Sequence, residues 1–237
     1  MRIRTFRGVI FDIDGVVVET PHEQAWREAI APFADPARFT TEFYQQNVAG
    51  KPRMDGALAA LRGLGVANAE TVVQSYADRK QKLIDELIAR RAFAVFPDAM
   101  RFLEALKTHG IRMAAASSSK NASPMLRLIP FSSVTLYDAF DANLCGRDFA
   151  HGKPAPDIFL AAAKELGMPP AQCVVVEDAP AGVDAARAGG MAAIGVARLD
   201  DAALLHAAHA DLVVTSLDQV SVDALIGGRL DARPHPQ

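Results

Sequence analysis

Largely apolar runs of three to six residues recur along the chain, at Gly8–Phe11, Ile111–Ala116, Cys173–Val176, Ala192–Val196 and Leu212–Val214. Short runs of this kind, each followed by turn chemistry, predict strands buried on both faces of a parallel sheet. Helical patterns lie between most of them. Met100, Leu103 and Leu106 follow Pro97-Asp98 and stop at Gly110; Ile158–Leu166 follows Pro156-Asp157 and stops at Gly167; Ala181–Ala188 follows Asp178-Ala179-Pro180 and stops at Gly189-Gly190. Proline or acid at the start and glycine at the end are helix boundary signals. Strands alternating with helices predict βαβ units and an α/β fold built on a doubly wound parallel sheet.

The interval from Thr20 to about Val95 breaks this rhythm. It holds no convincing strand, but amphipathic stretches at Trp26/Ala29/Ile30, Leu58/Leu61/Leu64 and Val72/Val73/Tyr76, the last leading on to Leu83/Ile84/Leu87/Ile88. The pattern predicts a helical subdomain, residues 20–95, inserted into a core of residues 1–19 and 96–237, with connections near Glu19–Pro21 and Ala94–Pro97. An insertion after the first strand of such a sheet is placed to act as a lid. The tail Gly227–Gln237, rich in Gly, Pro and Arg, is expected to fray.

Composition narrows the classes. The chain has 237 residues, half of them hydrophobic, and a formal charge of -3. That balance gives no support for a nucleic-acid or membrane-surface partner. No apolar stretch reaches the roughly 18 residues of a spanning helix, and the start Met1-Arg2-Ile3-Arg4-Thr5 is not an apolar signal segment. Cys145 and Cys173 lie in no metal-ligand spacing and are expected to be reduced thiols, in a cytoplasmic protein.

Candidate chemistry gathers where the strands end. Asp12-Ile13-Asp14-Gly15-Val16 follows the first apolar run. Two carboxylates this close oppose each other's ionisation, and a hard divalent cation is the usual compensation; an aspartate can also attack phosphorus. An ordinary Asp-Gly turn is the alternative. Ser117-Ser118-Ser119-Lys120-Asn121 follows the second run, and its hydroxyls and N–H groups suit a phosphate, although serine-rich loops are commonly plain turns. Lys153, between Gly152 and Pro154, sits on a stiff segment where an ammonium can neutralise phosphoryl charge or remain solvated. Glu177-Asp178 ends a fourth run and could equally cap a helix. In a parallel sheet, four such ends converge on one crevice.

Taken together, Asp12-x-Asp14-Gly15-Val16, Ser117, Lys153 and Glu177-Asp178 resemble, in order and spacing, the four motifs of the haloacid dehalogenase-like superfamily. The resemblance is nearest to its β-phosphoglucomutase-like branch, whose Rossmann-like core carries a small helical cap. It implies a Mg²⁺-dependent phosphatase acting on a small phosphorylated metabolite, most simply a sugar phosphate; the alternative is a β-phosphoglucomutase interconverting β-glucose 1-phosphate and glucose 6-phosphate. It also implies roles. Asp12 is the nucleophile and Asp14 the acid/base; Ser117 binds the phosphoryl group and Lys153 balances its charge. Asp12, the Asp14 carbonyl and Asp178 hold Mg²⁺, with Glu177 in support. Gly15, Thr20, His22, Arg53, Lys80, Ser118, Ser119, Lys120 and Asn121 contact substrate. Gly50-Lys51-Pro52-Arg53 resembles the cap loop for a distal phosphate, and Arg79-Lys80 the cap's basic pair. The link from Thr20 to His22 is two residues shorter than in such mutases, and Ile129–Asp141 is longer than usual. A monomer or weak homodimer is expected.

Overall fold

A computed structural model describes residues 5–48, 51–199 and 201–233. The chain divides into two compact units, Met1–Glu19 with Ala94–Gln237, and Thr20–Phe93.

The first unit opens with β1 (Gly8–Phe11) and β2 (Val18–Glu19). Among the described residues of the second unit, the α-helices that follow are α1 (His22–Ala29), α2 (Thr41–Asn47), α3 (Arg53–Gly63) and α4 (Ala69–Ala89). The chain then re-enters the first unit through β3 (Ala94–Val95), α5 (Pro97–Thr108), β4 (Arg112–Ala115) and α6 (Ala122–Leu128). Next come β5 (Pro130–Phe131), β6 (Val134–Thr135), α7 (Leu136–Ala139), β7 (Ala142–Asn143) and α8 (Asp157–Glu165). The last elements are β8 (Cys173–Glu177), α9 (Pro180–Ala188), β9 (Ala192–Val196), α10 (Ala202–Ala207), β10 (Leu212–Val214) and α11 (Val222–Ile226).

Among the described residues, six strands form one parallel sheet in the order β10-β9-β8-β1-β4-β7. The chain winds outward from β1 through β4 to β7, then returns to the other side through β8, β9 and β10. The reversal falls between β1 and β8, and ligands bind outside the carboxyl ends of the strands at such a point. Register puts Phe11 level with Ala115 and Val176, so Asp12, Ser117 and Glu177-Asp178 emerge along one edge. β1, β8 and β9 are buried throughout because both faces are covered. On one face Ile10, Ala114 and Val175 meet Phe159 and Val183 of α8 and α9; on the other, Phe11 meets Phe102 and Phe140 edge-on, each ring at 6.0 Å.

α5, α8 and α9 start and stop where proline and glycine direct. Pro97 and Pro180 occupy first-turn positions of α5 and α9, and Gly110, Gly167 and Gly190 take positive φ after α5, α8 and α9. Three features differ from the sequence reading. Ile129–Asp141 forms the β5–β6 hairpin and α7, which deliver the chain to the edge strand β7. β2 and β3 pair antiparallel, Val18 with Val95 and Glu19 with Ala94. The tail expected to fray is held as far as it is described: Ala232 bridges Val220, and Ser221 N–H donates to the Asp231 carbonyl at 3.2 Å. Residues 234–237, and Gly50 of the cap loop, lie outside the described residues.

The second unit has its own core, in which Trp26, Phe39, Leu61 and Tyr76 are buried. Tyr76 packs on Trp26 at 5.2 Å between ring centroids and donates its hydroxyl to the Trp26 carbonyl at 3.1 Å. Along α4 the buried positions are Ala69, Tyr76, Ala77, Lys80, Ile84 and Ile88, a stripe at helical spacing that includes one lysine. Among the described residues, no helix is long and apolar enough to cross a membrane.

Candidate active site

Asp12 is the first residue beyond β1, its N–H donating to the Val176 carbonyl at 3.0 Å. The chain then turns tightly. Val17 and Val18 N–H groups donate to the Ile13 carbonyl, Gly15 N–H donates to the Val18 carbonyl at 2.8 Å, and Gly15 takes φ +80°. A Cβ at Gly15 would lie 1.8 Å from Asp178 Oδ2. Glycine is therefore needed twice over, for its backbone angle and for the room it leaves the carboxylate.

Lys153 ties two strand ends together. Its Nζ donates to Asp12 Oδ1 at 2.5 Å and to Glu177 Oε1, and it stands 4.9 Å from the Phe159 ring centroid. Glu177 is buried with both oxygens engaged, since Oε2 also accepts the N–H groups of Asp178 at 3.0 Å and Ala179 at 3.1 Å. The Glu177 side chain, grouped with the metal donors from the sequence, is thus occupied in holding Lys153 and the start of α9. Asp12 and Asp178 bring the other two buried carboxylates to these strand ends.

Electrostatics report the crowding. Burial pushes the Asp12 carboxyl up to about 7; Lys153 opposes that push, and Glu177 and Asp14 add to it. Burial also drives Asp178 well above the usual carboxylate range, reinforced by Glu177, Asp12 and Asp14. For Lys153, burial alone would favour the neutral amine, but Asp12 and Glu177 hold the ammonium charged. Two of these carboxylates, Asp12 and Glu177, bond the one ammonium, and Asp14 and Asp178 add further negative charge. Among the described residues, no three His, Cys, Asp or Glu side chains form a ready-made metal cage. The Asp12 and Asp178 side chains nevertheless offer only oxygen donors, and the excess negative charge around them fits a hard divalent cation.

Ser117 is buried on the neighbouring strand end, where its Oγ accepts from Ser119 N–H at 3.1 Å. The rest of the loop divides. Ser119 Oγ accepts from Asn121 N–H at 3.2 Å, whereas Ser118 is exposed and Lys120 is an exposed partner of Asp148 at 3.3 Å. Cys145, which no motif singled out, lies close enough for its thiol to feel Ser117, Asp12, Asp14 and Lys153; burial pushes it up to about 12, so it is an unreactive wall.

The cap candidates sit within the helical unit. Lys80 is buried, with Nζ 3.3 Å from His22 Nδ1 and 5.1 Å from the Trp26 ring centroid. Arg53 is exposed at the start of α3 and donates to Gln81 Oε1 at 2.6 Å. Thr20 precedes α1, its carbonyl accepting His22 N–H at 2.7 Å. Arg79 is exposed, one helical step off the buried stripe.

A doubly wound sheet that gathers aspartates, a glutamate and a lysine at its switch point fits an enzyme that handles phosphoryl groups. A family model described as haloacid dehalogenase-like hydrolase matches residues 6–190, and the chain belongs to that family, in its β-phosphoglucomutase-like branch. It is 32% identical over 249 residues to the beta-phosphoglucomutase of Mycobacterium bovis, which covers 90% of this chain and 91% of the relative. It is 29% identical over 212 residues to the phosphorylated carbohydrates phosphatase of Thermotoga maritima, covering 87% and 93%. The solved structure of an archaeal β-phosphoglucomutase from Pyrococcus sp. strain ST 04 superposes with a TM-score of 0.78 at 35% identity, covering 93% of this chain and 99% of that one.

Proposed function

We propose that the chain is a Mg²⁺-dependent phosphatase of small sugar phosphates that works through an aspartyl-phosphate on Asp12. The observation that carries this reading is the Lys153 ammonium shared between Asp12 and Glu177 at the switch point. A lysine so held favours the ionised Asp12 carboxylate against its burial and can balance charge on an incoming phosphoryl group. Asp12, Asp178 and the Asp14 carbonyl would hold Mg²⁺, which when bound offsets charge on phosphoryl oxygens. Asp12 attacks phosphorus, and the departing sugar oxygen takes a proton from Asp14. Asp14 then removes a proton from water, whose oxygen attacks the phosphoenzyme and releases phosphate and free Asp12. The Ser117 hydroxyl donates to the phosphoryl oxygens. Arg53, Lys80 and His22 serve the sugar and any second phosphate.

The meeting of buried Lys80 with His22 in the helical unit, and the two mutase relatives, favour a second reading. In it the same phosphoenzyme passes its phosphoryl group to a sugar phosphate. Incubating the protein and Mg²⁺ with β-glucose 1-phosphate and catalytic β-glucose 1,6-bisphosphate separates the two. Inorganic phosphate without glucose 6-phosphate supports hydrolysis; glucose 6-phosphate appearing far faster than phosphate overturns it in favour of the mutase.

The crowded carboxylates also set a pH dependence. Asp12 titrates near 7 when folded and near 3.8 when unfolded, so the folded chain binds the proton first and metal-free protein gains stability as pH falls between those values. The gain is at most about 1.4 kcal/mol per pH unit for one group. Mg²⁺ competes with protons for the same oxygens, so its stabilising effect is expected to be larger at pH 8 than at pH 6. Thermal melts in EDTA and in excess Mg²⁺ check both; a metal-free melting point that falls on acidification would refute the charge accounting.

A further inference from the structure

One buried ion pair takes no part in the chemistry above. Arg198 follows β9, and its side chain is largely enclosed, 13% exposed. NH1 donates to Asp98 Oδ2 at 2.8 Å, NH2 to the Val16 carbonyl at 3.1 Å, and Nε more distantly to the Gly15 carbonyl at 3.4 Å. The guanidinium lies 4.0 Å over the Phe96 ring, next to the β3 segment that pairs with β2. Asp98, in the first turn of α5, is anchored in turn: its Oδ2 also accepts Leu217 N–H at 2.7 Å and Ser216 Oγ–H at 3.1 Å. Burial works to raise the Asp98 carboxyl, but Arg198 and these donors hold it below its usual value.

Stability alone is a weak reason for this arrangement, because a buried ion pair gains little over well-packed apolar groups. Its geometry suggests another use. The left-handed Gly15 breaks the regular backbone pairing, and the Gly15 and Val16 carbonyls take their donors from one rigid guanidinium fork. A lysine has no such fork. The residue immediately before this turn is Asp14.

We propose that Arg198, braced by Asp98, is a positioning residue that fixes the Gly15–Val16 turn and thereby aims the Asp14 carboxylate at the departing oxygen. The proposal rests on the reading of Asp14 as the acid. Misplacement of a catalytic group by about 1 Å costs on the order of 100-fold, and that loss should track how much the leaving group needs a proton.

The test compares phenyl phosphate, whose phenoxide needs protonation, with 2,4-dinitrophenyl phosphate, whose leaving group does not. Leaving-group release is followed in the first turnover, where burst amplitude counts folded active sites. Arg198→Lys is expected to slow phenol release by about 10- to 100-fold, with KM nearly unchanged, and dinitrophenol release by less than about 3-fold. Asp14→Asn should show the same split. If Asp14→Asn loses equally on both substrates, the assignment of the acid fails. If Asp14→Asn shows the split while Arg198→Lys loses equally on both or on neither, the positioning role is overturned. Should Arg198→Lys not fold, Asp98→Asn/Arg198→Met removes both buried charges together and is judged by the same split.

Discussion

Asp12→Asn is expected to abolish turnover, by about four orders of magnitude or more in kcat, while the protein melts no lower than the parent. The two halves of this expectation come from one geometry. An amide oxygen can still accept from Lys153 Nζ, which now reaches Asp12 Oδ1 at 2.5 Å, so the link between the ends of β1 and β8 can persist. What disappears is a negative charge whose burial is already unfavourable, as the rise of its titration to about 7 records. Removing one of four crowded carboxylates relieves repulsion on Asp178 and Asp14. Catalysis suffers the opposite fate, because a neutral amide neither attacks phosphorus nor carries the phosphoryl group. Steady-state phosphate release and a thermal melt on the same preparation check both halves. Near-parental turnover would remove Asp12 as nucleophile, and a melting point several degrees lower would show that its charge supports the fold.

The strands buried on both faces were the most legible part of the fold. Gly8–Phe11 and Ala192–Val196 coincide with β1 and β9, because a strand covered by helices on both sides must be apolar at every position; Leu212–Val214 coincides with β10, an edge strand that is only partly buried. β7 was invisible for the complementary reason. Its two residues pair only with Ala114 and Ala115 at the sheet edge, too short a run to leave a pattern. At the site, the strand-end placement of Asp12, Ser117 and Glu177 follows from chain order and topology, but the bonds between groups do not. Lys153 meets a carboxylate 141 positions away, and nothing local distinguishes buried Ser117 from exposed Ser118 until loop geometry turns one inward. Lys80 is buried and Arg79 exposed because only position 80 falls on the α4 stripe, a difference of helical phase. Asp98 looked like an ordinary helix-start acid; its partner Arg198 lies 100 residues on.

Gly182→Ala should cost the protein both stability and rate, although a rule of helix propensity predicts the reverse. Gly182 is the third residue of α9, where alanine would ordinarily be better by about 0.8–1 kcal/mol. Here a Cβ would lie 1.9 Å from both Cδ and Oε1 of Glu177. A flexible glutamate elsewhere could swing aside cheaply. This one is 1% exposed and pinned at both oxygens, by Lys153 on one side and the Asp178 and Ala179 N–H groups on the other. Clearing the methyl group therefore means leaving buried donors unpaired, at about 1–3 kcal/mol, and releasing one of the two anchors of Lys153. The expected result is a lower melting point together with a kcat reduced on the order of 100-fold. A second substitution checks the account. In Glu177→Ala/Gly182→Ala the clash is gone but the Asp178 and Ala179 N–H groups stay unpaired and Lys153 has Asp12 alone to hold it, so neither stability nor kcat should recover. If Gly182→Ala matches the parent in both melt and rate, Glu177 has somewhere else to go and its grip on Lys153 is dispensable. If the double variant recovers rate along with stability, the glycine protects packing alone, and Lys153 needs only Asp12 to stay in place.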